Sequence, residues 1–340
     1  MESRKVVFAK PFEVVIETEA CDASALAADE MLLKKHYTAI SAGTELACLS
    51  GSESYFVMPR TPGYTAVSEV IAKGSGVTKF ETGDLIFHYG RHMEYQVVKS
   101  NDFLIKLNSA KNEEYIPFVR MATVAYTAIR VSSIELGDYV AVTGQGLVGN
   151  FAAQLAKLSG ARVIAVDVSD NRLEISKQCG VYATVNPAKT DDLKKAIMDL
   201  TEGQGVSTLI DATGVPKVAA DGFDLVAQHG EIILLGTPRG EYNGNIANVF
   251  TRSHVAKFDV TVKGAHEWKF PIKEIKAEMY AVKHSIERNT KIALGQFERG
   301  ELVFKPLLSL MAGVADAPDA YRKLREDKDG YMGVIIDWKK

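Results

Sequence analysis

The chain has only three cysteines in 340 residues, Cys21, Cys48 and Cys179, and no Cys-x-x-Cys pair. That spacing excludes a disulfide framework. The thiols are expected to be buried or idle in a reducing compartment, which points to the cytoplasm. No run of 18 apolar residues occurs, so no membrane span is expected. The first twenty residues carry no long apolar segment and no signal-peptide cleavage pattern. Nor is there an excess of positive charge: 40 Lys and Arg stand against 43 Asp and Glu, a formal net charge of -3. The basic residues are scattered, so no electrostatic footprint for DNA, RNA or an anionic membrane is present. Repeats and low-complexity segments are also missing.

What is present suits an ordinary globular protein: 46% hydrophobic and 24% charged residues. At about 150 residues per domain the length predicts two domains. The first part, to about residue 120, reads as short apolar runs broken by Gly and Pro, at 5–9, 13–17, 66–72 and 84–88. This is the texture of a β-rich domain. From Val140 strand-like and helix-like runs alternate. Strands are expected at 139–143, 162–168, 207–211 and 231–235. Helices are expected at 150–159, at 170–179 before Gly180, at 191–200 capped by Thr190, and at 215–228 before Gly230. Such alternation predicts a parallel sheet with helices on both faces. After about residue 263 the pattern reverts, with a helix-like stretch near 274–286, an apolar run at 304–310, a helix at 316–325 and a closing strand at 334–338.

The segment Gly144-Gln145-Gly146-Leu147-Val148-Gly149 is a Gly-x-Gly-x-x-Gly lying between an expected strand and an expected helix. In that context Gly144 makes the tight turn, Gly146 lets a pyrophosphate approach the backbone, and Gly149 lets helix and strand close. The helix start at Leu147 and Val148 offers N–H groups and a positive dipole end to phosphate. Asp167 follows Gly149 by eighteen residues. There it can accept hydrogen bonds from the adenosine ribose and repel a 2′-phosphate, which favours NAD over NADP. Arg172 nearby could instead hold that phosphate, and Asp167 could simply cap a helix.

With these residues in view, the chain resembles the medium-chain dehydrogenase/reductase superfamily along nearly its whole length. Ile40-Ser41-Ala42-Gly43-Thr44-Glu45 resembles the family's CGTD-type loop, and Thr61-Pro62-Gly63-Tyr64-Thr65 its PGHE segment. The run 79–86 is similar to its GDxV turn, and 121–128 to the stretch ending in TAY. Asp211-Ala212-Thr213-Gly214, Leu234-Leu235-Gly236 and Val262-Lys263-Gly264 match later strands, and Asp316-Ala317-Pro318-Asp319-Ala320-Tyr321 matches the DAPEAY-like helix start. The resemblance implies an α/β protein. A GroES-like β-rich catalytic domain (1–123 and 267–340) would carry an inserted Rossmann domain (124–266), a parallel doubly wound cofactor fold. It also implies that Thr44, Thr213, Gly214, Leu235 and Gly236 meet the cofactor, and that the sheet edge around 248–262 pairs with a second subunit in a homodimer or homotetramer.

Many members bind catalytic zinc, which polarises the reacting oxygen. The corresponding positions here are Ala42, Tyr64 and Arg120, and the four-cysteine structural lobe is missing from 88–95. No zinc and no other metal is therefore expected. Proton handling then falls to Thr44, which matches the family's relay hydroxyl, to Tyr64 and to Arg120. The relay His position is Ala47, so His88 and His92 are substitutes to consider. Each of these also has a plain structural role open to it: Tyr64 filling the space of the metal, Arg120 in an ion pair, the histidines in the core. Glu45 matches an acid that pairs with a basic residue near the C-terminus in relatives, but that position is Gly333.

The expected activity is zinc-independent, NAD-dependent interconversion of a secondary alcohol and a ketone on a small-molecule substrate: a polyol, a sugar derivative or a hydroxyalkyl group. The pattern is similar to a zinc-lacking branch near sorbitol and threonine dehydrogenases and bacteriochlorophyllide a dehydrogenase. Two alternatives stay open. One is a zinc-free quinone or enone reductase using NAD(P)H. The other is a dinucleotide-binding sensor without catalysis.

Overall fold

The computed structural model describes residues 1–274 and 283–340. Contacts divide it into two compact units, Met1–Arg120 with Leu307–Lys340, and Met121–Pro306. The second boundary differs from the expected one. Residues from 267 onward had been grouped with the N-terminal part, whereas the described residues up to 306 belong with the inserted unit. The helix expected near 274–286 lies largely outside the described residues.

The first unit begins with the antiparallel pair β1 (Glu2–Lys10) and β2 (Glu13–Ala20), followed by β3 (Glu30–Ile40) and α1 (Ala42–Ser50). Next come β4 (Ala66–Lys73), β5 (Leu85–His88), β6 (Tyr95–Lys99) and β7 (Leu104–Lys106); helix α2 (Val119–Val131) then leads into the inserted unit, to which it belongs from Met121 on. The inserted unit holds β8 (Tyr139–Thr143), α3 (Leu147–Leu158), β9 (Arg162–Val166), α4 (Asp170–Gln178), β10 (Ala183–Val185), α5 (Leu193–Leu200) and β11 (Val206–Asp211). It continues with α6 (Pro216–Asp221), β12 (Val226–Leu234), α7 (Ala247–His254), β13 (Thr261–Gly264) and α8 (Ile286–Glu298). The chain then returns to the first unit through β14 (Leu308–Gly313), α9 (Ala317–Glu326) and β15 (Gly333–Asp337).

In the first unit one sheet has the order β14-β15-β3-β4-β5-β7, with β6 also paired to β3. β3 lies at its centre, which explains why its last four residues, Tyr37 to Ile40 with Thr38 and Ala39, are all buried. β15 runs antiparallel to it, Val334 facing Ile40, so the C-terminus completes a sheet begun by the N-terminal part. Phe8, Leu49, Tyr321 and Trp338 share the adjoining core. Gly333 has a steric cause. A Cβ there would lie 2.2 Å from the Leu307 carbonyl oxygen, so a basic side chain could not occupy this position without moving the strand.

The inserted unit carries a wholly parallel sheet in the order β10-β9-β8-β11-β12-β13. β8 is buried on both faces, with Val140, Ala141 and Val142 fully enclosed, as a near-continuous apolar strand of a covered parallel sheet should be. Small residues on α3, Ala152, Ala153 and Ala156, are also fully buried. Phe151 packs on Phe304 at 4.8 Å between ring centroids, and truncating it to Ala would cost about 3–5 kcal/mol. Two local expectations are corrected. The expected helix at 215–228 stops at Asp221, and Val226 already pairs with Val206 in the sheet; the register shifts before Glu231, where His229 within β12 takes φ 60°. The next correction concerns α5, which is capped by Asp192, whose carboxylate accepts the Lys195 N–H, rather than by Thr190.

Candidate active site

In the first unit the site is built where β3 turns directly into α1. The Ser41 N–H donates to Glu45 Oε1 at 2.8 Å, and the Glu45 N–H donates back to the Ser41 carbonyl at 2.8 Å. This reciprocal cap fixes the first turn and with it Thr44. Opposite, Gly63 takes φ 96°, and a Cβ on it would lie 2.7 Å from the His92 nitrogen. Only glycine lets the chain pass there, and the His92 N–H donates to the Pro62 carbonyl at 2.9 Å. Thr65 holds the other side, its hydroxyl donating to the Pro117 carbonyl at 2.7 Å. Tyr64, between these anchors, donates its phenol proton to the Ser41 hydroxyl and also hydrogen-bonds Thr44.

Arg120 lies against two rings, its guanidinium carbon 5.2 Å from the Tyr64 centroid and 4.3 Å from that of Tyr89. It is buried, so this cation–π contact is worth more than an exposed one. Burial raises the Tyr64 phenol above its ordinary value, against the opposing pull of Arg120 and of the hydrogen bonds with Ser41 and Thr44. The phenol is therefore protonated at neutral pH, and a positive charge stands beside it. Of the sequence-predicted catalytic residues, Thr44, Tyr64 and Arg120 are thus brought together.

The two histidines have other partners. His92 is fully buried, with Nδ1 2.8 Å from Thr38 Oγ1 and Nε2 3.0 Å from Glu45 Oε2. Glu45 also accepts a proton from the Tyr321 hydroxyl at 2.5 Å. Its partners are therefore His92, Tyr321 and the Ser41 N–H, in place of the basic residue that Gly333 replaces. His88 is buried against Ser68 at 2.7 Å, and burial together with Lys35 holds its ring well below the usual histidine range. A ring kept neutral and enclosed is no acid–base group at physiological pH. The expectation that either histidine takes over the relay is corrected accordingly: both are buried, His88 held by Ser68 and His92 by Thr38 and Glu45.

The donor set at the family's metal positions does not fit a zinc ion. Ala42 has no donor atom, Arg120 brings a fixed cation, and the Tyr64 phenol is engaged by two hydroxyls. Among the described residues no group of three or more His, Cys, Asp or Glu side chains is arranged to hold a metal.

In the inserted unit the glycine loop joins β8 to α3. Gly144 has φ 84°, and a Cβ on Gly149 would lie 1.8 Å from the Gly144 carbonyl oxygen. Gly146 differs: a Cβ there would meet only the Arg172 guanidinium, at 4.0 Å. It also starts α3 without any side-chain cap. The first turn, with Leu147 and Val148, therefore keeps N–H groups that no helical carbonyl takes, above a space that a Cβ would fill. These features fit a dinucleotide pyrophosphate.

Asp167, at the end of β9, accepts the Gln145 N–H at 2.6 Å and the Ser169 N–H at 2.9 Å, with Arg172 at 4.0 Å. A carboxylate has about four acceptor sites, so capacity remains for ribose hydroxyls. The Gln145 side chain does not face a ligand; it is fully buried and bonds the Val142 carbonyl and the Ser176 hydroxyl. Thr213 and Gly214 follow β11, and Leu235 and Gly236 follow β12, so all four stand at the same sheet edge as the glycine loop. Asp211 organises that edge by accepting from the hydroxyls of Thr143 (2.8 Å) and Thr213 (2.7 Å). The β8–β11 junction is where the strand order reverses, the usual crevice for a dinucleotide.

Sequence reasoning gave Ser41 no role, although it lies within the quoted loop, because the family pattern directs attention to Ala42. It also missed the Tyr321–Glu45 pairing, Lys35 and Arg91. No helix among the described residues is long and apolar enough to cross a membrane.

Comparison with known proteins supports the same assignment. The family model for zinc-binding dehydrogenases matches residues 148–280. L-threonine 3-dehydrogenase of Pyrococcus abyssi is 28% identical over 71% of this chain and 77% of its own length. D-guloside 3-dehydrogenase of Escherichia coli is 33% identical over 50% of this chain and 49% of its own. Galactitol-1-phosphate dehydrogenase of Escherichia coli shares the fold, with TM-score 0.82 and 19% identity over 98% of this chain and 100% of the other. Over residues 148–280 the chain thus matches the zinc-binding dehydrogenase family, and over nearly its whole length it has the α/β fold of the medium-chain dehydrogenases/reductases.

Proposed function

We propose that the protein interconverts a secondary alcohol and a ketone with NAD(H) and without a metal ion. The observation that carries this is the Tyr64 phenol, hydrogen-bonded to Ser41 and Thr44 with Arg120 against its ring. The named relatives are dehydrogenases of alcohol groups in threonine and in a guloside. The dinucleotide, when bound, would supply the hydride acceptor for oxidation and the hydride donor for reduction. The chain's own groups handle the proton. Tyr64, protonated at neutral pH, donates to the ketone oxygen in reduction; in oxidation it takes the hydroxyl proton only after its own has left to the hydrogen-bonded hydroxyls. Arg120 lowers the cost of the intermediate negative charge, and the Ser41 and Thr44 hydroxyls carry the proton onward. Gly146 and the start of α3 would hold the pyrophosphate and Asp167 the ribose, which favours NAD over NADP.

Substrates would be polyols, sugar derivatives or hydroxyalkyl groups. A panel of secondary alcohols with NAD, set beside enones and quinones with NADH and NADPH, tests this. Turnover confined to the alcohols supports the proposal, and turnover confined to C=C bonds assigns the site to a reductase. NADH binding without turnover of either class assigns it to a sensor. The edge strand β13, with Thr261 and Val262 exposed, is where a second copy would extend the sheet. A homodimer or homotetramer is the assembly to look for by light scattering.

A further inference from the structure

Within the first unit a cleft of ≈ 170 Å³ is lined by Thr44, Tyr64, Tyr55, Phe56, Arg60 and Arg91 among others. At about 30 Å³ per water it holds roughly six water volumes, the size of a small polar molecule. Its charge is one-sided. Arg60 and Arg91 supply two cations, and Glu45, the only acid in the lining, already has both carboxylate oxygens engaged by Ser41, His92 and Tyr321.

The Arg60 side chain and the Arg91 backbone are held in place. The Arg60 guanidinium donates to the Tyr55 carbonyl at 3.1 Å and lies 5.2 Å from the Phe56 ring centroid. Arg91 stands between two fixed neighbours. A Cβ on Gly90 would meet His88, Ala66 and Lys35 within 2.8 Å, and His92 is locked to Thr38 and Glu45. The Arg91 N–H itself donates to Gln96 Oε1 at 3.2 Å. Its backbone is thus anchored, while its exposed side chain has no hydrogen-bond or ion-pair partner among the described residues.

We propose that the substrate of this cleft carries an oxyanion group, a carboxylate or a phosphate. Arg91 holds it with the help of Arg60, while the reacting oxygen meets Tyr64. The planar guanidinium pairs bidentately with either group. No free carboxylate among the described residues of the lining competes for the pairing. The inference rests on the dehydrogenase assignment above and narrows it: a small hydroxy acid or a polyol phosphate is preferred over the neutral alcohol of the same skeleton.

The test is kcat/KM for matched sets, each a neutral secondary alcohol, its carboxylate and its phosphate, with wild type, Arg91→Gln and Arg60→Gln. Wild type should prefer one anionic member by about tenfold or more, the two anionic arms showing which. Arg91→Gln should cut that preference by about tenfold, and Arg60→Gln by less. NADH titration reports that the variants are folded. Inorganic phosphate should compete with the alcohol in wild type and more weakly in Arg91→Gln. Equal use of neutral and anionic substrates by wild type, or a preference untouched in both variants, overturns the inference and leaves the dehydrogenase assignment standing. Absence of turnover on every alcohol, with NADH still bound, overturns both.

Discussion

The Tyr64 phenol donates its proton to the hydroxyl of Ser41 at the start of α1. This bond, with the one to Thr44 and the cation of Arg120 beside the ring, is the arrangement on which the proposed metal-free proton transfer rests. Its consequences can be measured.

The pH dependence should differ between directions. The phenol is raised above its ordinary value of 10.0, chiefly by burial. Reduction uses the protonated form, so its rate should stay level through neutral pH and fall only in the alkaline range. Oxidation uses the ionised form and should climb with pH over the same range. Initial rates from pH 6 to about 11 check this. An oxidation rate with its maximum near neutrality would assign the proton to another group.

The glycines of the loop should separate stability from binding. Gly149→Ala forces a Cβ to 1.8 Å from a carbonyl oxygen and should destabilise the inserted unit outright. Gly146→Ala meets nothing closer than 4.0 Å and should fold normally. It fills the space proposed for the pyrophosphate, so NADH binding should weaken by about tenfold or more. Thermal melts and fluorescence titration of both variants distinguish the two effects.

Asp167→Asn should lower the preference for NADH over NADPH by about tenfold, because it removes the charge that repels a 2′-phosphate while the Arg172 cation, 4.0 Å from that carboxylate, stays. Dissociation constants for both cofactors test it. An unchanged ratio would remove Asp167 from cofactor selection.

Lys35 is a buried amine on β3 whose ammonium donates to Gln96 at 2.9 Å. Burial lowers it from 10.5 to about 7. The unfolded chain therefore binds the extra proton between those values, and stability rises with pH across that window. Below it the full cost of burying the charge stands. Lys35→Met should raise the melting temperature by a few degrees at pH 7, and the gain should shrink toward pH 10. Gln96 keeps the Arg91 N–H as a partner in the variant. A loss of stability at pH 7 would show that the amine is needed for more than filling space.

Much of this was legible in the sequence because it rests on local rules. The glycine loop reads directly, since turn, close approach and helix start each demand a residue without a side chain. β8 reads directly as well, because its apolar run matches a strand buried on both faces. The strand at Val226 did not, because the apolar run at 215–228 suits a helix as well as a strand, and pairing with Val206 decides it. Thr44, Tyr64 and Arg120 were found through motif spacing. Ser41, Tyr321 and Arg91 were not, since each acts through contacts with residues distant in sequence or through a cleft that no motif describes. The histidines misled for the same reason: sequence proximity to the site does not reveal which way a ring faces.

The central claim is that Tyr64 moves the proton where relatives use a metal. Its most direct test is turnover of protein dialysed against a strong chelator, wild type beside Tyr64→Phe, on whichever alcohol proves active. The account predicts that wild type keeps its rate and that Tyr64→Phe loses about a hundredfold in kcat, with NADH binding unaltered. A chelated wild type that stops, or a Tyr64→Phe variant that turns over as fast as wild type, would contradict it.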